Sequence, residues 1–266
     1  MRNKVSAVIV GIDGSKAAIR AAEWAVEEAF SRSVPLVLIA VIKTTHPSAE
    51  DYHRDIEQAE TSLRTAQVAI QAIGRPVKVE TEIQRGQPAA ILVSESAHAE
   101  MVCVGSVGID RYTRALIGST TTEVAERSHC PVAVIRWRPD HPRQDIDWVV
   151  VTGNDAPDRD IVLDQALREA QLRKLPVLAI GSTPEDAAPS TLDDRLQPWR
   201  RWYPEVHIYG VTTDADVANF LEDNDDWVPL AVIGGADAGQ LAQIVGAHSH
   251  SAFRRAEASV LIVREN

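Results

Sequence analysis

Three glycines and a serine carry the strongest chemical signal in the chain. Gly105-Ser106-Val107-Gly108 is separated by nine residues from Gly118-Ser119. Gly105 follows an apolar run, Met101 to Val104. Gly118 and Ser119 precede a helical stretch around Thr121 to Arg127, and the pattern Thr120-x-x-Glu123 reads as its capping box. One glycine cluster thus leaves a strand and the other enters a helix. Main-chain N–H groups at such a point converge on an anion, and the helix dipole adds to the attraction. A Cβ at these positions would hold a phosphate away from the backbone. Ser119 adds a hydroxyl donor. The same residues also serve as an ordinary turn and cap in any α/β protein, and spacing alone does not separate the two readings. Asp13, which ends the first apolar run, stands where open α/β sheets place their ligand crevice. An aspartate there is equally an ordinary helix N-cap.

Other chemistry finds little support. No G-x-x-x-x-G-K-[ST] occurs, and Val10-Gly11-Ile12-Asp13-Gly14-Ser15 does not supply the G-x-G-x-x-G of a dinucleotide fold. His248 and His250 lack neighbouring ligands, and His129 reads as a turn residue before a strand. Asp13 could polarise a water or help hold Mg²⁺, but efficient hydrolysis needs a positioned base and a charge clamp. The expectation is a binding protein without catalytic residues, with weak hydrolysis of a bound phosphate left open. Trp199 and Trp202, with Arg200 and Arg201 between them, read either as a partner patch or as helix packing.

The elements that must position these residues form an internal repeat. In the first half, apolar runs at Val5 to Ile12, Leu36 to Ile42, Val77 to Ile83, Met101 to Val104 and Val132 to Ile135 alternate with helical patterns. The helices are expected over Ala17 to Phe30, Tyr52 to Ile73, Pro88 to Ala97 and Thr121 to Arg127. The second half replays this order. Pro176 to Ile180 mirrors Pro35 to Ala40, Leu230 to Gly234 mirrors Val102 to Gly105, and Ser259 to Arg264 mirrors Pro131 to Arg136. Such alternation predicts an α/β fold of two tandem Rossmann-like domains, each a parallel sheet flanked by helices. The expected boundaries are 1–138 and 147–266, joined by a proline-bearing linker over 139–146.

A length of 266 residues suits two such domains of about 130 residues each. No stretch approaches the roughly 18 apolar residues of a membrane helix, and the N-terminus has no signal-peptide layout. Cys103 and Cys130 read as buried thiols in a reducing compartment, hence a cytoplasmic location. Residues 1–141 carry a net charge of −1 and residues 142–266 a net charge of −10. This balance argues against nucleic acid or an anionic membrane as partner.

The motif Val10 to Ser15, the G-x2-G-x9-G-S spacing and the closing Cys130-Pro131-Val132 resemble the universal stress protein family. The resemblance covers residues 5–136 closely and 147–264 more loosely. It implies five-stranded sheets of order 3-2-1-4-5, with the crevice between strands one and four. It also implies an ATP-binding module of stress response or signalling, with Mg²⁺ as an optional companion. By the same resemblance, Gly11 and Asp13 line the adenosine part, and Ala40 and Val41 meet the adenine. Gly105, Ser106 and Gly108 surround ribose and phosphates, Gly118, Ser119 and Thr120 hold the phosphate tail, and Arg111 reaches towards it. Family members often pair through their last strands. The second half is thus expected to act as an intramolecular pseudo-dimer partner, with a homodimer as an open alternative.

The second half departs from the pattern. Asp237 replaces Gly108, eight residues rather than nine precede Gly246, Ala247 replaces Ser119, and Asn154 and Ser182 stand for Asp13 and Val41. A carboxylate beside a polyphosphate repels it. The second half is therefore expected to bind ATP weakly or not at all, and to be structural or regulatory. The rival reading is a slow ATPase or adenylating enzyme, although the S-G-G-x-D-S and H-x-G-H loops of adenylating enzymes are missing from the sequence.

Overall fold

Strand and helix alternate along the first half. The order is β1 (Val8–Ile12), α1 (Lys16–Arg32), β2 (Leu36–Ile42), α2 (Ala49–Ile73), β3 (Val79–Arg85), α3 (Pro88–Ser96), β4 (Met101–Gly105), α4 (Ser119–Arg127) and β5 (Val132–Ile135). The second half follows with β6 (Val149–Thr152), α5 (Arg159–Arg173), β7 (Val177–Gly181), α6 (Leu192–Trp202), β8 (Ile208–Thr212), α7 (Val217–Asn224) and β9 (Leu230–Gly234). A 3₁₀ helix (Gly235–Gln240), α8 (Leu241–Val245) and β10 (Ser259–Val263) complete it. This computed structural model describes residues 6–106, 117–136, 147–152, 158–181, 192–213, 217–224, 228–245 and 258–264. The protein divides into two units near residue 137.

In the first unit the strands run parallel in the order β3-β2-β1-β4-β5. In the second the order is β8-β7-β6-β9-β10, also parallel. Each unit therefore has the expected 3-2-1-4-5 order, with its first strand central and flanked by the second and fourth. Strands covered on both faces read as nearly unbroken apolar runs. Val8, Val10, Met101, Val102 and Cys103 are accordingly fully buried. Neither cysteine forms a disulfide, and both are buried. The alanine face of α1, including Ala18, Ala21, Ala22, Ala25 and Ala29, is buried as its spacing predicts. Small side chains on that face let the helix axis approach the sheet closely.

Helix boundaries differ from the pattern where caps decide them. Helix α2 starts three residues earlier than expected. Ser48 and Asp51 cap it reciprocally: the Asp51 N–H donates to Ser48 Oγ at 3.1 Å, and the Ser48 hydroxyl donates to Asp51 Oδ2 at 2.7 Å. The counterpart in the second unit, α6, has 11 residues against 25 in α2. On α6 the rings of Trp199 and Trp202 meet edge to face at 5.2 Å, and Trp202 remains 70% exposed.

The duplication also repeats a buried ion pair. Glu28 and Arg32 end α1, and Glu169 and Arg173 end α5. The two glutamates are buried, each with its arginine one helical turn later. The next residue, Ser33 or Lys174, adopts a left-handed conformation with φ of 55°. Its N–H closes on the alanine carbonyl that follows the glutamate, Ala29 or Ala170. A carboxylate taken out of water needs its cation more than an exposed one does. We predict that Arg32→Leu lowers the stability of the first unit by about 1–3 kcal/mol, and that Glu28→Leu/Arg32→Leu loses less. Urea unfolding midpoints check this ordering.

Candidate functional site

The carboxyl edge of the first sheet gathers the ends of β2, β1 and β4 with the starts of α1 and α4. Asp13 lies exposed just past β1 and accepts the Ser15 N–H at 2.9 Å. Ser15, rather than Asp13, caps α1, through the Ala18 N–H at 3.1 Å. The turn between them passes through Gly14 at φ 84°, a left-handed conformation that favours glycine. Ala40 pairs with Ile12 across the sheet and is buried, whereas Val41 is half-buried one position nearer the edge.

The β4–α4 connection is closed at its base by three hydrogen bonds. The Ser106 N–H donates to the Ile135 carbonyl at 2.9 Å. The Gly118 N–H donates to the Ser106 carbonyl, also at 2.9 Å. The Thr121 hydroxyl donates to the Gly105 carbonyl at 2.8 Å. The start of α4 is thus fastened to the ends of β4 and β5. Ser106 is 2% exposed and acts as part of this frame. Gly108 and Arg111 lie outside the described residues.

Helix α4 begins at Ser119 with Gly118 at its N-cap position, and this start has no capping side group. The expected capping box from Thr120 does not form. The helix starts two residues earlier than the box requires, and the Glu123 carboxylate pairs with Arg127. The first N–H groups of a helix have no partner within it. Here the N–H groups of Ser119, Thr120 and Thr121 open the helix, and the bonds to carbonyl acceptors within it resume at Thr122, which donates to Gly118 at 3.0 Å. Ser119 is exposed and Thr120 half-buried. No acidic residue lies in the first turn of α4 or of α1. An uncapped helix start without a competing carboxylate attracts an anion.

The glycines divide into two kinds. A Cβ on Gly105 would stand 2.7 Å from both the carbonyl carbon of Ala17 and the amide nitrogen of Ala18, so glycine is required there by the close approach of α1. A Cβ on Gly11 would meet Leu92 at 2.9 Å. On these two, the side where a Cβ would stand faces protein. Gly118 differs, because its φ of −70° and ψ of 147° are open to any residue. Sequence reading also missed Thr121, whose hydroxyl does the fastening.

The second unit carries a different edge on the same frame. Asp158 stands fifteen residues before Arg173, as Ala17 stands fifteen before Arg32. Ala17 faces Gly105, and Asp158 faces Gly234: a Cβ on Gly234 would lie 2.3 Å from Asp158 Oδ2. Asp160 occupies the first turn of α5, and Asp237 follows β9 within the 3₁₀ helix. Residues 235–245, which follow β9, are helical. Asp158 was missed in the sequence because it matches no motif residue, only an alanine in a packing face. Asn154, Ser182, Gly246, Ala247, His248 and His250 lie outside the described residues.

Comparison with known proteins agrees with this architecture. Residues 5–136 match the sequence profile of the universal stress protein family. The chain is similar to universal stress protein Rv2624c of Mycobacterium tuberculosis, with 54% identity over 97% of this chain and 96% of that protein. It is also similar to Rv2028c of the same organism, with 34% identity over 98% and 97% of the two chains. The crystal structure of a universal stress protein from Archaeoglobus fulgidus shares the fold, with a TM-score of 0.70 at 20% identity and coverage of 97% and 96%. Full-length relatives at this identity carry the conclusion: the chain belongs to the universal stress protein family.

Proposed function

We propose that the first unit binds ATP and that the protein is a cytoplasmic stress-response or signalling module that reports nucleotide occupancy without turning it over. The observation that carries this reading is the start of α4. It is a helix N-terminus with no capping side group and no acid in its first turn, fastened by Gly118 and Thr121 to the end of β4. The N–H groups of Ser119 and Thr120, with the Ser119 hydroxyl, would hold the terminal phosphates. Val41 and the main chain of Ala40 would meet the adenine, and Asp13 the adenosine or an accompanying Mg²⁺. Gly108 and Arg111 would complete the phosphate surround. Gly11, Gly105 and Ser106 would serve chiefly as frame, since each is packed against protein. The second unit would be structural or regulatory, because Asp158 and Asp237 stand at the corresponding strand end and repel phosphate.

Calorimetric titration of the purified protein with ATP is expected to give one site. A stoichiometry near two would contradict the assignment of the second unit. Gly118→Asp is expected to keep the fold, since aspartate is a favoured N-cap. It would also set a carboxylate where the phosphates belong and weaken ATP binding by about tenfold or more. Equal affinity in the parent and this variant would refute the site. Gly105→Ala is expected to behave differently, lowering stability by about 1–3 kcal/mol because α1 must move away, and weakening binding with it. Thermal unfolding beside the titration separates the two effects.

A further inference from the structure

The connector between β2 and α2, residues 43–48, borders the strand end where the adenine would lie, and it is held by a buried histidine. The His46 side chain is 8% exposed, and its Nε2 lies 3.0 Å from Asp55 Oδ2 on the second turn of α2. The imidazole meets the Tyr52 ring edge-on at 5.3 Å. The Tyr52 hydroxyl accepts a hydrogen bond from Arg85, whose guanidinium also lies over the Tyr52 ring at 4.6 Å. Arg85 ends β3 and pairs in register with Ile42, one position beyond the Val41–Gln84 pair. The Gly86 N–H then closes on the Ile42 carbonyl at 2.9 Å. Side chains from the connector, from α2 and from β3 therefore fasten the connector to the carboxyl edge beside Val41.

We propose that the His46–Asp55 pair is a positioning latch for the adenine end of the nucleotide site, tightened when His46 is protonated, so that nucleotide affinity depends on pH. This rests on the ATP-binding reading of the first unit. An imidazole changes charge between about pH 5 and 8, and its hydrogen bond to a carboxylate is stronger in the charged form. The charged groups that face His46 are Asp55 and Asp51 on α2 and, through Tyr52, Arg85 on β3. His53 on α2 lies against Tyr52 at 5.7 Å, and Lys43 starts the connector. The Ser48 hydroxyl holds the Asp51 carboxyl below its ordinary range, and the charge of Arg54 adds to this. The sign follows: the latch is tight at low pH and loosens as pH rises.

The test is calorimetric titration of the full-length protein with ATP between about pH 5.5 and 8.5. The parent is compared with His46→Gln and Asp55→Asn, with circular dichroism to verify the helices. Protonation of ATP itself is common to all three proteins and cancels in the ratio of affinities. The parent-to-variant affinity ratio is expected to fall by about fivefold across this range, for both variants, and the double variant is expected to lose nothing further. Asp55 is 31% exposed, so Asp55→Asn reads the latch even if His46→Gln unfolds. A ratio that stays constant with pH while the parent binds ATP overturns the latch and leaves the nucleotide site standing. A parent that binds no ATP at any pH overturns both.

Discussion

The attachment of one helix start to two strand ends is the constraint on which the site depends. Gly118 bonds to Ser106, Ser106 to Ile135, and Thr121 to Gly105. These bonds make the first turn of α4 a fixed feature of the sheet edge. A main-chain anion site is effective only when its N–H groups are held in place before the ligand arrives, because ordering them on binding would oppose affinity. The bare N-terminus of α4 has the same meaning. A capping serine or aspartate would stabilise the helix by about 1 kcal/mol and would occupy the donors that a phosphate requires.

The two halves show how a duplicated frame can be kept while its edge changes. Strand order, the buried Glu–Arg pair and the left-handed cap at the end of the first helix recur in both. These features bury apolar surface and satisfy main-chain groups, so they are required wherever the fold is required. The strand end that faces solvent carries no such requirement. There Ala17 in one half becomes Asp158 in the other. The net charge of −10 in residues 142–266 acts in the same direction as this change.

The fold was legible because each strand is a short apolar run and each helix carries a periodic apolar face. The alanine face of α1 and the run Val132 to Ile135 were read nearly to the residue. Capping was less legible. Ser48-x-x-Asp51 started α2 early, and Gly118 rather than Thr120 opened α4. Such choices depend on which of several adjacent polar groups reaches the first N–H, and this is decided by packing against the sheet. The role of Gly105 was legible as a need for close approach, but the approaching group is the α1 backbone. That contact joins elements far apart in sequence and leaves no local signature. Asp158 and the His46–Asp55 pair were invisible for the same reason.

The most direct test of the central claim is ¹⁵N–¹H correlation spectroscopy of the labelled protein during titration with ATP. The main-chain amides of Ser119 and Thr120 are predicted to shift strongly downfield as a phosphate accepts their hydrogen bonds, while those of Asp237 and Ala238 stay in place. Saturable ATP binding that leaves the α4 amides unmoved, or moves the Asp237 segment instead, would contradict the account.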